Sequence, residues 1–203
     1  MNFSKQACMD EAIESYDKIL EIDPRNSKAW INKGYSLLQL NEYDEADACF
    51  DKAIEFDLEF DETWAEKGIV LYMNYKDNES VEYFEKAIEY SYKTISSGPK
   101  NLEAWYSKGI SYSYLEKHND SLKCCEKVIE INPKFAYAWG EKVYALIGLG
   151  RYNEAIEAYD KAIELNKQDA DSLIGKRYAL KELGKSDEAN ECYDKAEELL
   201  STL

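Results

Sequence analysis

Acidic and lysine side chains form the most regular chemical pattern in this sequence. Six times an aspartate or glutamate directly precedes a lysine, and a glutamate follows that lysine three residues later; the lysines are Lys18, Lys52, Lys86, Lys127, Lys161 and Lys195. Paired carboxylates can serve as general acid and base, but an active site is a single constellation, whereas this pattern recurs along the chain. We interpret it as the solvated face of short helices, on which Asp51, Lys52 and Glu55 face water.

The other reactive residue types do not form a recognisable catalytic or metal-binding set. His118 is the only histidine, and the cysteines lack a paired Cys-x-x-Cys arrangement; they are Cys8, Cys49, Cys124, Cys125 and Cys192. Zinc requires about four converging ligands, and a nucleophilic cysteine requires a base beside it. The sequence shows no Ser/His/Asp set and no glycine-rich phosphate loop. It therefore predicts no metal, no cofactor and no enzymatic activity.

Charge and composition limit the classes of partner and location. The chain has 41 Asp and Glu against 25 Lys and Arg, a net charge of −16. Such a field repels nucleic acid and anionic lipid, so we expect neither as a partner; a basic partner is favoured, although the charge also keeps an elongated protein in solution. Because the sequence has no signal-peptide or membrane-spanning run and its cysteine usage is typical of a reducing compartment, we expect a cytoplasmic protein.

Tryptophans divide the chain at regular intervals. They are 34, 41 and 34 residues apart, and one further step of 34 reaches Leu173; the tryptophans are Trp30, Trp64, Trp105 and Trp139. In the first interval Gly34 follows four residues after the tryptophan and Ala46 sixteen after it, and then come Phe50 and Ala53. The later intervals repeat these residue types with few exceptions. A fixed period of this length indicates a protein built from structural repeats.

Each repeat has the pattern of two helices. Apolar residues recur at helical spacing in both halves, and a polar break such as Asn41–Asp44 lies between them, which predicts an antiparallel helix pair. The predicted repeats span residues 27–60, 61–101, 102–135, 136–169 and 170–203. Residues 1–26 carry only the second helix of a pair, because Phe3–Gln6 can supply at most the last turn of a preceding helix.

These residue types and spacings resemble the tetratricopeptide repeat family over essentially the whole chain. The resemblance rests on the tryptophan, the glycine, the small residue, the aromatic residue and the alanine in register, and on Pro133, which ends a repeat at the expected place. Departures are expected to loosen the last two repeats; across the chain they are Val143 and Arg177 for glycine, Leu58 and Lys167 for proline, and Leu173 for tryptophan. The resemblance implies an all-α fold, a right-handed α-solenoid of antiparallel helix pairs in a single array.

The resemblance also implies a function: a non-catalytic scaffold whose first helices line a concave groove that holds a partner peptide or helix. The predicted groove contacts are Ile31, Tyr35, Gln39, Glu62, Ile69, Tyr72, Glu103, Tyr106, Ile110, Tyr144 and Tyr178. The other predicted groove positions in the last two repeats are Tyr137, Gly140, Ile147, Asp171, Ile174 and Lys181. Some family members carry Lys, Arg and Asn here and bind acidic chaperone tails, but this chain carries apolar and aromatic residues. We therefore expect an apolar to mildly basic peptide, with the alternative that some tyrosines only pack between repeats.

The interval of 41 residues contains seven more than the others, within Tyr90–Pro99. Seven residues are about two helical turns, which lengthen a helix by about 10 Å and turn its face by only about 20°. We therefore expect an extended second helix that ends at Gly98-Pro99. Tyr90, Tyr92 and Ile95 are predicted to project beyond the neighbouring helices, either as an extra partner contact or as a tolerated insertion.

Two alternatives to a groove-binding scaffold follow from the half repeat at residues 1–26. A repeat end without its preceding helix exposes an apolar flank, which repeat proteins normally cover. The flank could associate with a second copy of the chain, which would make the protein a homo-oligomer. Alternatively, the chain could be the regulatory segment of a larger enzyme, in which case the flank would meet the rest of that polypeptide.

Overall fold

Helices make up the whole regular structure of the part that the computed structural model describes, residues 3–57 and 61–201, and no strand occurs in these ranges. They are α1 (Phe3–Ile22), α2 (Ser27–Leu40), α3 (Tyr43–Phe56), α4 (Asp61–Met73), α5 (Asp77–Ser97), α6 (Leu102–Tyr114), α7 (His118–Ile131), α8 (Ala136–Gly148), α9 (Tyr152–Leu165), α10 (Ala170–Glu182) and α11 (Ser186–Ser201). The predicted all-α class with antiparallel helix pairs is confirmed. Leu58, predicted to replace a closing proline, lies outside the described residues.

The chain forms two compact units. The first unit, Met1–Pro99, contains α1 to α5, and the second unit, Lys100–Leu203, contains α6 to α11. Within each unit every helix packs against the next one along the chain. Phe3–Gln6 is part of α1 itself, so these residues extend the helix of the half repeat at its start and do not form the end of an earlier helix.

The turn inside each helix pair uses one left-handed residue. Five residues in equivalent positions have φ between 55° and 72°; they are Asn41, Tyr75, Glu116, Gly150 and Gly184. In the first of these turns the Glu42 amide donates to the Leu37 carbonyl oxygen at 3.0 Å, and the Asn41 amide donates to that of Leu38 at 3.1 Å. This bonding satisfies the last carbonyls of the first helix and reverses the chain within two residues, which makes the paired helices antiparallel.

Glycine and phenylalanine make the central contact of the first two complete helix pairs. Phe50 and Phe84 are fully buried, and each covers a glycine on the paired helix. A Cβ added at Gly34 would lie 2.8 Å from Phe50 Cζ, and one added at Gly68 would lie 2.7 Å from Phe84 Cε1. Glycine therefore lets the two helices approach closely, which explains why this position tolerates the poor helix propensity of glycine.

Two helical glycines are expected to respond to alanine in opposite directions. Gly34→Ala should lower the free energy of unfolding by about 1–2 kcal/mol, because overpacking against buried Phe50 outweighs the gain in helix propensity. Gly140→Ala should raise it by about 1 kcal/mol, because a Cβ at Gly140 meets nothing within 4 Å. Urea unfolding followed by tryptophan fluorescence would measure both changes. Equal effects of the two substitutions would contradict this packing.

The last two repeats replace the glycine contact with other contacts, and their predicted loosening stays a prediction. Val143 fills the glycine position of its own repeat and is buried. The Tyr159 ring instead covers Gly175 of the next repeat, where an added Cβ would lie 2.2 Å from the hydroxyl oxygen. In the final repeat the Arg177 guanidinium lies over the Tyr193 ring, 4.3 Å from its centroid. Packing is therefore retained through a different choice of partner.

The acidic residue of the repeated acid–lysine pattern links neighbouring repeats, which corrects the prediction that this pattern only faces water. Four such residues bind a lysine sixteen residues later, on the first helix of the next repeat; the pairs are Asp17–Lys33, Asp51–Lys67, Glu126–Lys142 and Asp160–Lys176. The Asp17–Lys33 and Asp160–Lys176 pairs are 2.5 Å long. The lysine and glutamate of the pattern do lie at the surface, where Lys52 binds Glu55 at 2.7 Å.

The extended helix α5 has 21 residues, seven more than α3, and ends at Ser97. Tyr90 does not project from it as predicted, because its ring stacks on Trp64 at a centroid distance of 5.5 Å and an interplanar angle of 5°. Tyr92 is exposed and Ile95 is half-buried. Tyr90, at the position where α3 ends, therefore contributes its ring to the core, and the two-turn extension beyond it presents Tyr92 at the surface.

Candidate functional site

The predicted groove contacts differ in how much surface they offer. Ile31 and Ile110 are only 6% and 9% exposed, so they serve packing and offer a partner almost no area. Four others are half-buried, namely Tyr35, Glu62, Ile69 and Tyr106, and five are exposed, namely Gln39, Tyr72, Glu103, Tyr144 and Tyr178. The accessible part of the predicted set is therefore smaller than the sequence indicated.

In the first unit, Tyr35 joins two first helices. Its ring packs edge-on against Phe50 at a centroid distance of 5.9 Å, and its hydroxyl donates to Glu62 Oε1 on α4 at 2.8 Å. Burial, together with the charges of Glu66 and Glu62, raises the pKa of Tyr35, so the hydroxyl stays protonated and remains a donor. Tyr35 is thus a packing and hydrogen-bonding residue, as the alternative interpretation of the tyrosines expected.

Glu66 completes this cluster and was not predicted from the sequence. Burial raises the pKa of its carboxyl to about 8; the Tyr35 hydroxyl lowers it in part, and the charge of Glu62 raises it further. A carboxyl with this pKa carries a proton through much of the neutral range. The signal that could have identified Glu66 is its position one helical turn after Glu62, on the same face of α4.

In the second unit, an open cleft of about 500 Å³ lies between α8 and α10. Its apolar walls are Tyr144 and Ile147 on α8 and Ile174 and Tyr178 on α10. The two tyrosines are 53% and 49% exposed and Ile174 is 43% exposed, which is unusual for side chains this large and apolar. Two predicted groove contacts, Tyr144 and Tyr178, are therefore brought together in one place.

Two glycines shape the cleft, and the first of them explains why it is open. Gly140 lies on its α8 side, and nothing occupies the space that a side chain would fill. Gly175 lies on the α10 side and is covered by the Tyr159 ring, which forms part of the cleft lining. The sequence placed Gly140 in the groove, but the contact between Tyr159 and Gly175 was missed because it joins different repeats.

The rim of the cleft is acidic at the start of α10. Asp169 caps this helix by accepting hydrogen bonds from the Ser172 amide at 2.9 Å and the Ser172 hydroxyl at 2.6 Å. Asp171, in the first turn of this helix, is exposed and lines the cleft. An apolar floor with a carboxylate at its edge suits an apolar side chain that is followed or preceded by a cation.

A second group of aromatic rings in the same unit joins α6 to the start of α8. The Tyr106 ring packs edge-on against Phe135 at 5.0 Å, and Phe135 in turn contacts Tyr137 at 5.7 Å. Tyr137 is 72% exposed at the start of α8. The predicted contact Tyr106 therefore supports an exposed aromatic surface at the start of α8.

The other reactive groups are structural. Burial raises the pKa of Cys49 and of Cys124 to about 11 and that of Cys125 to about 12, so these thiols are protonated packing groups. Within residues 3–57 and 61–201, no group of three or more His, Cys, Asp or Glu side chains is arranged to hold a metal ion. None of the helices in these ranges is both long enough and apolar enough to cross a membrane.

Comparisons with solved structures support the repeat architecture. A structure of MamA MSR-1 is 23% identical, covers 87% of this chain and 97% of its own, and superposes with a TM-score of 0.62. YrrB, described as a TPR protein with an unusual peptide-binding site, is 24% identical, covers 92% and 93%, and has a TM-score of 0.58. A structure of MamA AMB-1 is 21% identical, covers 86% and 99%, and has a TM-score of 0.64. No curated protein of similar sequence was found.

Family models match the sequence directly in the repeats. Models described as "Tetratricopeptide repeat" match residues 5–26, 27–60, 102–135 and 124–157, and one described as "TPR repeat" matches residues 144–174. The matches to residues 27–60 and 102–135 coincide with the helix pairs α2–α3 and α6–α7, and together the matches cover much of the chain. The chain therefore belongs to the tetratricopeptide repeat family.

Proposed function

We propose that this protein is a non-catalytic adaptor that binds a partner polypeptide, and that the cleft between α8 and α10 holds an apolar anchor side chain of that partner. The observation that carries this proposal is the exposure of Tyr144, Ile174 and Tyr178 around one cleft. A large apolar surface that stays accessible in a folded domain is typical of an interaction site.

The chemistry of the cleft indicates the kind of anchor. Tyrosine walls offer large contact area at low cost in side-chain entropy and prefer aromatic or branched aliphatic side chains. Asp171 at the rim and the net charge of −16 favour a lysine or arginine beside the anchor and disfavour an acidic peptide. The proposed partner is therefore a peptide or helix with an apolar anchor and a neighbouring basic residue.

Helices α4 and α5 of the first unit contribute to the same proposal. Glu62 and exposed Tyr72 lie on α4, and the negative charge of Glu62 favours basic residues of a partner. The predicted contacts Tyr92 and Ile95 on α5 belong to the proposal as an additional surface. A cytoplasmic location is part of the proposal, because free buried cysteines are typical of a reducing compartment.

A displayed library of random twelve-residue peptides would test the proposal. Selection on the purified full chain, with Gly140→Phe protein as a counter-selection, is expected to enrich peptides that pair an aromatic or aliphatic residue with Lys or Arg. Phenylalanine at position 140 should fill the cleft without disturbing the core, because a Cβ there meets nothing within 4 Å. Failure to enrich any sequence, or enrichment that survives the counter-selection unchanged, would contradict the proposal.

A further inference from the structure

Tyr144 and Tyr178, the two tyrosines that line the cleft, each pack against a second ring that does not line the cleft. His118 packs edge-on against Tyr144 at a centroid distance of 5.8 Å and an angle of 66°. Tyr152 packs edge-on against Tyr178 at 6.3 Å and 75°. Neither His118 nor Tyr152 is among the residues around the cleft. Both contacts have the geometry that aromatic pairs prefer, so each restricts the orientation of the exposed ring.

The two ring contacts are copies of one arrangement. His118 is the first residue of α7 and Tyr152 is the first residue of α9, 34 residues later. The rings that they contact, Tyr144 and Tyr178, are also 34 residues apart. In both cases the first residue of a second helix supports a residue on the first helix of the next repeat. The recurrence at one repeat length shows that the contact belongs to the repeat geometry.

The surroundings of His118 indicate that its ring acts by packing and not by hydrogen bonding. A Cβ added at Gly148, the last residue of α8, would lie 2.5 Å from His118 Nε2, so the imidazole lies directly against this glycine. Its Nδ1 atom is buried and has no hydrogen-bond partner within the described residues. An unpaired buried nitrogen lowers stability, and neither hydrogen bonding nor charge pairing of this atom explains its position. The ring contact with Tyr144 explains the position of His118.

We propose that His118 and Tyr152 are positioning residues that hold Tyr144 and Tyr178 in place and thereby determine which anchor side chain the cleft accepts. This inference rests on the proposed function of the cleft. Two fixed tyrosine rings leave a slot of constant width, which favours a flat aromatic anchor over a branched aliphatic one. With free rings, the cleft would accept both at reduced affinity, because binding would have to order the rings.

The experiment compares His118→Ala, His118→Phe and the matched control Asn119→Ala, which changes the adjacent exposed residue of α7. The probe is the peptide recovered by the library selection, synthesised with phenylalanine or with leucine at the anchor. His118→Ala is expected to weaken the phenylalanine peptide about threefold to tenfold and to reduce the preference over leucine. His118→Phe, which restores a ring without the unpaired nitrogen, should bind within about twofold of wild type, as should Asn119→Ala.

Nuclear magnetic resonance of the ligand-free proteins supplies a readout that a general loss of stability would not produce. The Tyr144 ring resonances should move in His118→Ala and stay close to their wild-type positions in Asn119→Ala. Should His118→Ala fail to fold, His118→Leu, which fills the space without a ring edge, takes its place with the same expected result. The same pattern is expected at Tyr178 when Tyr152 is replaced by leucine.

The outcomes separate the two proposals. Peptide binding that Gly140→Phe blocks but that His118→Ala leaves unchanged, with unmoved Tyr144 resonances, overturns the positioning role alone. Peptide binding that Gly140→Phe does not affect overturns the cleft as the binding site and the positioning role with it. Loss of affinity and preference in His118→Ala with recovery in His118→Phe supports both.

Discussion

Replacing Lys67 by alanine is expected to lower the free energy of unfolding of the first unit by about 3 kcal/mol. The Lys67 side chain is only 5% exposed, and its ammonium binds Asp51 and lies 3.0 Å from Asp47 Oδ1. Burial lowers the pKa of Lys67, but the two carboxylates outweigh burial and raise the pKa overall, so the group is charged. Alanine would remove both the buried stem and the charge that compensates Asp47.

A matched control is Lys52→Ala, one helix earlier in the same unit. Lys52 also forms an ion pair, 2.7 Å from Glu55, but both side chains are at least half exposed. Its loss should change stability by less than about 0.5 kcal/mol. Lys67→Met, which keeps an apolar stem, should recover part of the loss. Urea unfolding measures all three, and Lys67→Ala with wild-type stability would contradict the described link between repeats.

The second large effect is expected at Glu66 and depends on pH. Its pKa is raised from an ordinary 4.5 to about 8, chiefly by burial. Between these two values the folded chain retains a proton that the unfolded chain has released, so the free energy of unfolding falls as pH rises through this window. Below pH 4.5 both states are protonated and the penalty is absent. Above pH 8 it is complete.

Glu66→Gln removes this proton exchange and keeps the shape of the side chain. Its stability should be close to that of wild type near pH 4.5 and exceed it by about 5 kcal/mol at pH 9. Glu62→Gln is the control: it removes the neighbouring charge, so it should reduce the slope between these pH values without abolishing it. Chemical unfolding at a series of pH values is the measurement. Parallel curves for wild type and Glu66→Gln would contradict a raised pKa at Glu66.

The repeat register was predictable because it depends on residues that recur within one helix pair. Trp30, Gly34 and Phe50 act inside their own repeat or against the turn beside it; the Trp30 indole, for example, donates to the Pro24 carbonyl oxygen at 2.9 Å. Local spacing carries this information directly. The extension in α5 was equally visible, because an insertion of two whole turns keeps the same helix face toward the core.

Contacts between repeats were not predictable from the same pattern. Asp51 shares its helix face with Lys52 and Glu55, and nothing local shows that it binds a lysine sixteen residues later. Tyr159 occupies the aromatic position of its repeat, but it covers a glycine of the next one because Val143 fills its own partner position. Periodicity reports which face is apolar, and it does not report which neighbour that face meets.

The candidate site was predicted at the level of helices and only partly at the level of residues. First helices do present exposed tyrosines, but Ile31 is buried and the Tyr35 hydroxyl already donates a hydrogen bond to Glu62. The depth of a position depends on the size of its neighbours in adjacent repeats. Gly140 is an example. Its lack of a side chain leaves the cleft open, but a glycine at this position is not part of the repeat pattern, so the pattern does not predict the cleft.

The most direct test of the central claim is calorimetric titration of the selected peptide into three full-length proteins: wild type, Gly140→Phe and Gly140→Ala. A partner anchor in the cleft predicts that Gly140→Phe weakens binding by about 100-fold or more, because phenylalanine occupies the space of the anchor. Gly140→Ala should bind within about twofold of wild type and be more stable than it. Equal affinity of all three proteins would contradict the cleft between α8 and α10 as the binding site.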